Sequence, residues 1–172
     1  MNLPAFLLAL AALAPLGPGQ STDAFPVETP AAATTNYYPA SEDADFALES
    51  AIAEARVSGR YAVIVFGADW CHDSRTLAEV LKSDEFTARF GKRFVVTFID
   101  VGEPKIGKGR NLAIVEGLGL RNLRSTPALF ALSGKGQRLN TAKDARSWRN
   151  ADSRGKAVIM AWFDTFLAGQ KL

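Results

Sequence analysis

The chain has 172 residues, with 20 lysines and arginines against 18 aspartates and glutamates, a formal charge of +2, and one cysteine, Cys71. So small a charge, carried by basic residues that are scattered and not interleaved with aromatics, excludes nucleic acid as the expected partner. A single cysteine excludes an internal disulfide, and with only one histidine beside it no side-chain set for zinc or copper is present, so no metal site is expected.

Residues 1–24 are read as a signal peptide. Leu3, Phe6, Leu7, Leu8, Leu10 and Leu13 make an apolar run too short to span a bilayer comfortably, and Pro15, Gly17, Pro18 and Gly19 break it. Thr22-Asp23-Ala24 is the best small-x-small cleavage match. The expected product is exported, periplasmic or secreted, with no stable membrane anchor after signal removal. Residues 25–40 are rich in Pro, Thr and Ala and read as a flexible lead-in. Residues 41–172 remain, the usual size of one domain with one core.

Within that domain, Phe46, Leu48, Ile52 and Ala55 fall at helical spacing after a Ser41/Asp43 capping region, and Gly59 closes the helix. Tyr61-Ala62-Val63-Ile64-Val65-Phe66 is a nearly continuous apolar run, as in a strand buried on both faces. It delivers the chain to Trp70-Cys71. Leu77, Val80 and Leu81 continue at helical spacing, so Cys71 is expected at or near the first turn of a helix. Ser83 caps a short helix containing Phe86 and Phe90 and ended by Gly91. The run 94–100 is a second buried strand, completing a strand, helix, parallel strand unit with its functional loops at the carboxyl ends of the strands.

Residues 101–109 read as a loop, followed by a helical stretch through Leu112, Ile114 and Val115 to Gly117. Ala128-Leu129-Phe130-Ala131-Leu132 is a third strand, Ser133-Gly134-Lys135-Gly136 a turn, and Gln137-Arg138-Leu139 the start of an antiparallel partner. Residues 140–155 are polar, a loop or partly helical excursion pinned by Trp148. Ala157, Val158, Met160, Ala161, Trp162, Phe166 and Leu167 form an apolar terminal helix.

This order, with Phe66-Gly67-Ala68-Asp69-Trp70-Cys71 and the later Ser125-Thr126-Pro127 entering a strand, resembles the thioredoxin superfamily. The resemblance implies an α/β, three-layer thioredoxin-like fold with a mixed four- to five-stranded sheet and helices on both faces. It also implies that Pro127 is a cis-proline facing the cysteine and that Thr126 offers backbone groups to a bound peptide or thiol. Two departures stand out. Ser74 occupies the place of the resolving cysteine in Trp70-Cys71-His72-Asp73-Ser74, and Val65 stands where many thioredoxins carry a buried acid. Both losses fit a site that never resolves its own mixed disulfide.

A thiol at a helix start faces the positive end of the dipole and unpaired N–H groups, which favour the thiolate. Ser74, one turn on, is expected to donate its hydroxyl to the sulfur, and His72 to act as a surface modulator. Asp69 and Asp73 read as solvated charges. Arg75, Arg121 and Arg124 are candidates to hold carboxylates of glutathione or of an acidic client, or are ordinary surface charge. The expected catalytic residues are therefore Cys71 and Ser74, and the expected binding residues Trp70, His72, Thr126, Pro127, Arg75 and Arg124. No cofactor is expected beyond glutathione as an exchange partner, and the other partners are protein thiols or disulfides.

With one thiol the chain can form a mixed disulfide that another thiol must release. The expected activity is thus monothiol exchange, as isomerisation or deglutathionylation. The alternative is a non-enzymatic binding or client-retention module. A monothiol glutaredoxin fits less well, because of Trp70 and the expected export, and a peroxiredoxin fits poorly because position 68 is alanine and not threonine.

Overall fold

The computed structural model describes residues 35–40 and 43–170, so the expected signal peptide lies outside the described residues, as does most of the expected lead-in. Among the described residues no helix is long and apolar enough to cross a membrane.

The first helix, α1 (Ala44–Ser58), begins where the Asp43 carboxylate accepts from the Phe46 N–H at 3.0 Å and ends at Gly59, whose φ of 67° suits a residue without Cβ. Its buried face is Ala44, Ala47, Ala51 and Ala55. Phe46, expected inward, is 67% exposed, while Leu48 and Ile52 only flank the contact. Small side chains let the helix axis approach the sheet, so alanine and not the bulkier residues marks the inner stripe.

Strand β1 (Tyr61–Gly67) is followed by α2 (His72–Leu81), α3 (Asp84–Phe90) and β2 (Phe94–Asp100). β1 runs parallel to β2, with Tyr61 opposite Phe94 and Gly67 opposite Asp100. A two-residue hairpin, β3 (Gly102–Glu103) and β4 (Lys108–Gly109), stands in the segment read as a loop, and α4 (Leu112–Gly117) follows. β5 (Ala128–Leu132) pairs antiparallel with β1, with Val65 opposite Leu129. The chain closes with α5 (Ala142–Ser147), a 3-10 turn at Trp148–Asn150, and α6 (Ala151–Gly169), which is broken at Gly155 by a φ of 73°.

Central β1 alternates its side chains between two cores, as a strand must. Val63 and Val65 face α2, α3 and α6, together with Phe86, Phe90 and Phe163. Ala62, Ile64 and Phe66 face α1 and α4, with Val115 and Phe130. This is the expected three-layer α/β arrangement. Among the described residues, however, the main sheet has three strands in the order β2-β1-β5, not four or five. The segment 137–139 makes one bridge, Leu132 with Arg138, and then stops. There the Asn140 side chain takes over the pairing: its oxygen accepts from Ala131 N–H at 3.0 Å and its nitrogen donates to the Leu129 carbonyl at 2.9 Å. An amide side chain thus satisfies the edge of β5 where another strand would have continued.

Part of the segment read as a lead-in packs on the domain. Residues 35–40 belong to the folded unit. Tyr38 is 2% exposed, its ring edge-on to Phe98 with centroids 5.5 Å apart. The domain therefore begins before residue 41.

Candidate functional site

Cys71 is the N-cap residue of α2, extended in backbone at φ −87° and ψ 121°, with its side chain making no capping bond. Its N–H donates to the Ala68 carbonyl at 3.0 Å and its own carbonyl accepts from Arg75 N–H at 3.1 Å, so the turn leaving β1 leads directly into the helix. Cys71 is partly exposed, and its sulfur lies 3.4 Å from the Thr126 carbonyl oxygen, to which the thiol donates. The Thr126–Pro127 peptide bond is cis. Thr126 and Pro127 are both buried at the entry to β5. β1 and β5 lie side by side in the sheet, and this is what brings residues 55 positions apart to one point.

Trp70 is 58% exposed, and its indole N–H donates to the Gly102 carbonyl at 3.0 Å. The β3–β4 hairpin thereby sets the orientation of the indole beside the thiol. Asp100 holds that hairpin: its carboxylate accepts from Gly102 N–H at 3.2 Å and pairs with the Arg110 guanidinium at 3.1 Å. Burial raises the Asp100 carboxyl above the usual range, the Gly102 N–H and Arg110 work against that shift, and the charge of Asp69 adds to it.

Ser74 is fully buried, and its hydroxyl has no hydrogen-bond partner. It does not donate to Cys71, contrary to the sequence expectation. The hydroxyl oxygen lies beside Gly67, where a Cβ built on Gly67 would stand 2.8 Å from it and 2.6 Å from the Tyr38 ring. Because β1 ends in glycine, there is room beneath the Cys71–Ser74 turn, and Tyr38 fills it. Its phenol donates to the Ser74 carbonyl at 2.9 Å. Burial pushes that phenol well above its ordinary value, negative charge on Cys71 and Asp69 pushes it further, and the nearby Ser74 side chain works against the shift.

Asp69 is not a solvated charge. Its carboxylate accepts from Tyr37 N–H at 3.0 Å and Tyr38 N–H at 3.1 Å, fastening the N-terminal segment to the loop that carries Trp70 and Cys71. Arg75 stiffens the same loop by donating to the Asp69 carbonyl at 2.6 Å. Asp73 likewise has a partner, accepting from Asp152 N–H at 3.0 Å at the start of α6. His72 is exposed, with Nδ1 3.6 Å from an Asp152 carboxylate oxygen.

Of the residues singled out from the sequence, Cys71, Trp70, Thr126 and Pro127 meet at the site. Arg75 lies under it, Arg124 lies two residues before Thr126, and His72 turns toward α6. Tyr38 and Asp69 were missed as structural partners. The Tyr37-Tyr38 aromatic pair, within an otherwise Pro/Thr/Ala-rich stretch, was the available signal. Among the described residues no group of three or more His, Cys, Asp and Glu side chains is placed to hold a metal ion.

A strand that ends in a loop, a cysteine at the N-cap position of the next helix, and a proline turn whose carbonyl meets that thiol across the sheet define a thioredoxin-type architecture. The Thioredoxin-like family model matches residues 43–130, and the chain belongs to that family. Among solved structures it is similar to a disulphide isomerase from Xylella fastidiosa Temecula1, at 27% identity and a TM-score of 0.68. That match covers 77% of this chain and 98% of the other. A search of curated proteins returns no match.

Proposed function

We propose that the protein performs thiol–disulfide exchange with protein clients through Cys71 alone. The observation that carries this reading is the placement of Cys71: a partly exposed cysteine at the N-cap position of α2, with Sγ 3.4 Å from the Thr126 carbonyl and the Ser74 hydroxyl turned into the core. The likeness to a structure titled a disulphide isomerase supports the same chemistry.

In the exchange, the Cys71 thiolate attacks one sulfur of a client disulfide. A new S–S bond forms to Cys71, the client S–S bond breaks, and the departing client sulfur leaves as a thiolate. With no second cysteine in this chain, release requires attack on the mixed disulfide by another client thiol, which rearranges the client, or by a small thiol such as glutathione. The exposed Trp70 indole offers contact surface beside the thiol, and the buried Thr126-Pro127 turn meets the sulfur through the Thr126 carbonyl. The apolar N-terminus supports an exported, oxidising setting in which client disulfides exist.

Alkylation of the purified protein by iodoacetamide tests the reading. Cys71 should react faster at neutral pH than a cysteine in a short unstructured peptide, and equal or slower reaction would count against it. A second reading, a non-enzymatic docking module, draws on the exposed indole of Trp70, whose surface is available without the thiol. It requires Cys71→Ala to keep every partner.

A further inference from the structure

Cations that are dispersed in the sequence converge beside the Thr126-Pro127 turn. A cavity of about 670 Å³ is lined by Pro104, Lys105, Leu112, Glu116, Leu123 and Arg124. It adjoins a smaller cavity of about 120 Å³, which shares Leu123 and Arg124 and adds Ser125, Arg146 and Arg149. The two form a groove from the β3–β4 hairpin, which holds the Trp70 indole, to the turn at Trp148–Asn150.

Four basic side chains line this groove against one acid, Glu116. Among the described residues Lys105, Arg124 and Arg149 make no ion pair, while Arg146 donates to the Arg121 carbonyl. The groove walls are fixed. Leu123 is 6% exposed and anchors the Arg124 segment, and Trp148, fully buried edge-on to Trp162 at 5.1 Å, anchors Arg149. Asn122, at the junction of the cavities, holds a left-handed φ of 55° that turns the chain there. Exposed guanidinium groups on rigid supports are suited to carboxylates.

The reach to the thiol is short. Ser125 lines the smaller cavity, Thr126 touches the Cys71 sulfur, and Arg124 to Thr126 spans at most about 7 Å of extended chain. We propose that this groove selects clients in which acidic side chains flank the reacting cysteine within about two residues. The proposal rests on the exchange reading and names its substrate class: extended polypeptide segments with Asp or Glu beside the cysteine. Carboxylates would meet Arg124 and Arg149, while lysine-flanked segments would be repelled.

The test uses three hexapeptides that share a central cysteine, blocked as a mixed disulfide with thionitrobenzoate, and are flanked by Glu, Gln or Lys. Attack by Cys71 joins the peptide to the protein and releases coloured thionitrobenzoate, so the rate is read directly. At low salt the Glu peptide should react about tenfold faster than the Gln peptide and the Lys peptide slower still, with the spread shrinking as salt is added. In Arg124→Gln/Arg149→Gln the ratio of Glu to Gln rates should fall to about one. Equal rates in the parent protein, or a preference that survives both substitutions, would overturn the proposal. Oxidised glutathione reacting faster than the Glu peptide and slowed by the same substitutions would also overturn it, in favour of a tripeptide site.

Should no peptide release thionitrobenzoate, the exchange reading itself fails. The groove is then judged by calorimetry with Cys→Ser versions of the peptides: tighter binding of the Glu form, lost in the double variant, supports it, and equal binding refutes it.

Discussion

Replacement of Tyr38 by alanine should unfold the domain far more easily than its place before the expected domain boundary suggests. The ring is 2% exposed, lies edge-on to Phe98 at 5.5 Å, and fills the space above Gly67. Deleting a buried aromatic ring costs about 3–5 kcal/mol, the transfer term plus the cavity left behind. The phenol bond to the Ser74 carbonyl adds about 1 kcal/mol. Together these predict a loss of about 4–6 kcal/mol for Tyr38→Ala, a large part of the stability of a domain this size. Tyr38→Phe keeps the ring and forfeits only the hydrogen bond, so it should cost about 1 kcal/mol. Urea unfolding followed by tryptophan fluorescence measures both, and the two variants should share a slope m and differ in midpoint. A Tyr38→Ala protein within about 1 kcal/mol of the parent would show that the N-terminal segment is not part of the packed domain, and would refute the argument.

Gly67→Ala places a methyl group 2.6 Å from the Tyr38 ring and 2.8 Å from the Ser74 hydroxyl and should destabilise by about 1–3 kcal/mol in the same assay, with part of that cost gone in a Tyr38→Ala background. Ser74→Ala removes a buried hydroxyl without a partner, so the urea midpoint should hold or rise and the Cys71 alkylation rate should stay within about twofold of the parent. A large fall in that rate would place the hydroxyl on the sulfur after all. Asp100 supplies a pH test. Its carboxyl is raised mainly by burial, so the fold keeps a proton that the unfolded chain has already released. Its favourable contribution is complete below the ordinary carboxyl range and is lost as pH rises through the raised value. Asp100→Asn, which can still accept from Gly102 N–H, should therefore lose ground to the parent in acid and gain on it toward neutral pH. A stability difference between the two proteins that does not vary with pH would contradict this.

What could be read from the sequence was local. Asp43, Ser83, Gly59 and Gly91 mark helix ends because capping depends on the residue at the cap. The three strands appear as apolar runs because β1 and β5 are buried along almost their whole length and β2 over most of it. Cys71 stood out because a tryptophan, a strand and a helical pattern surround it. What could not be read depends on partners distant along the chain. Tyr38 is ordered by an acid 31 residues away, and the orientation of Ser74 depends on the missing Cβ of Gly67 and on the ring that occupies its place. The alanine face of α1 is weak as a hydrophobic signal yet decisive for close packing. Asn140 ends the sheet by imitating a strand, a role that needs the edge of β5 to be present. Lys105, Arg124 and Arg149 lie in separate segments and looked scattered until the fold gathered them around one groove.

The same geometry sets the priority among assays. The central claim is that Cys71 is a working nucleophile that holds its client until another thiol releases it. Purification from the native compartment without reductant, followed by mass spectrometry of species linked to Cys71, tests it most directly. The account predicts protein–protein mixed disulfides at Cys71 that are discharged by added thiol and absent from Cys71→Ser. A Cys71 recovered only as free thiol, with the same proteins bound to Cys71→Ser, would contradict it.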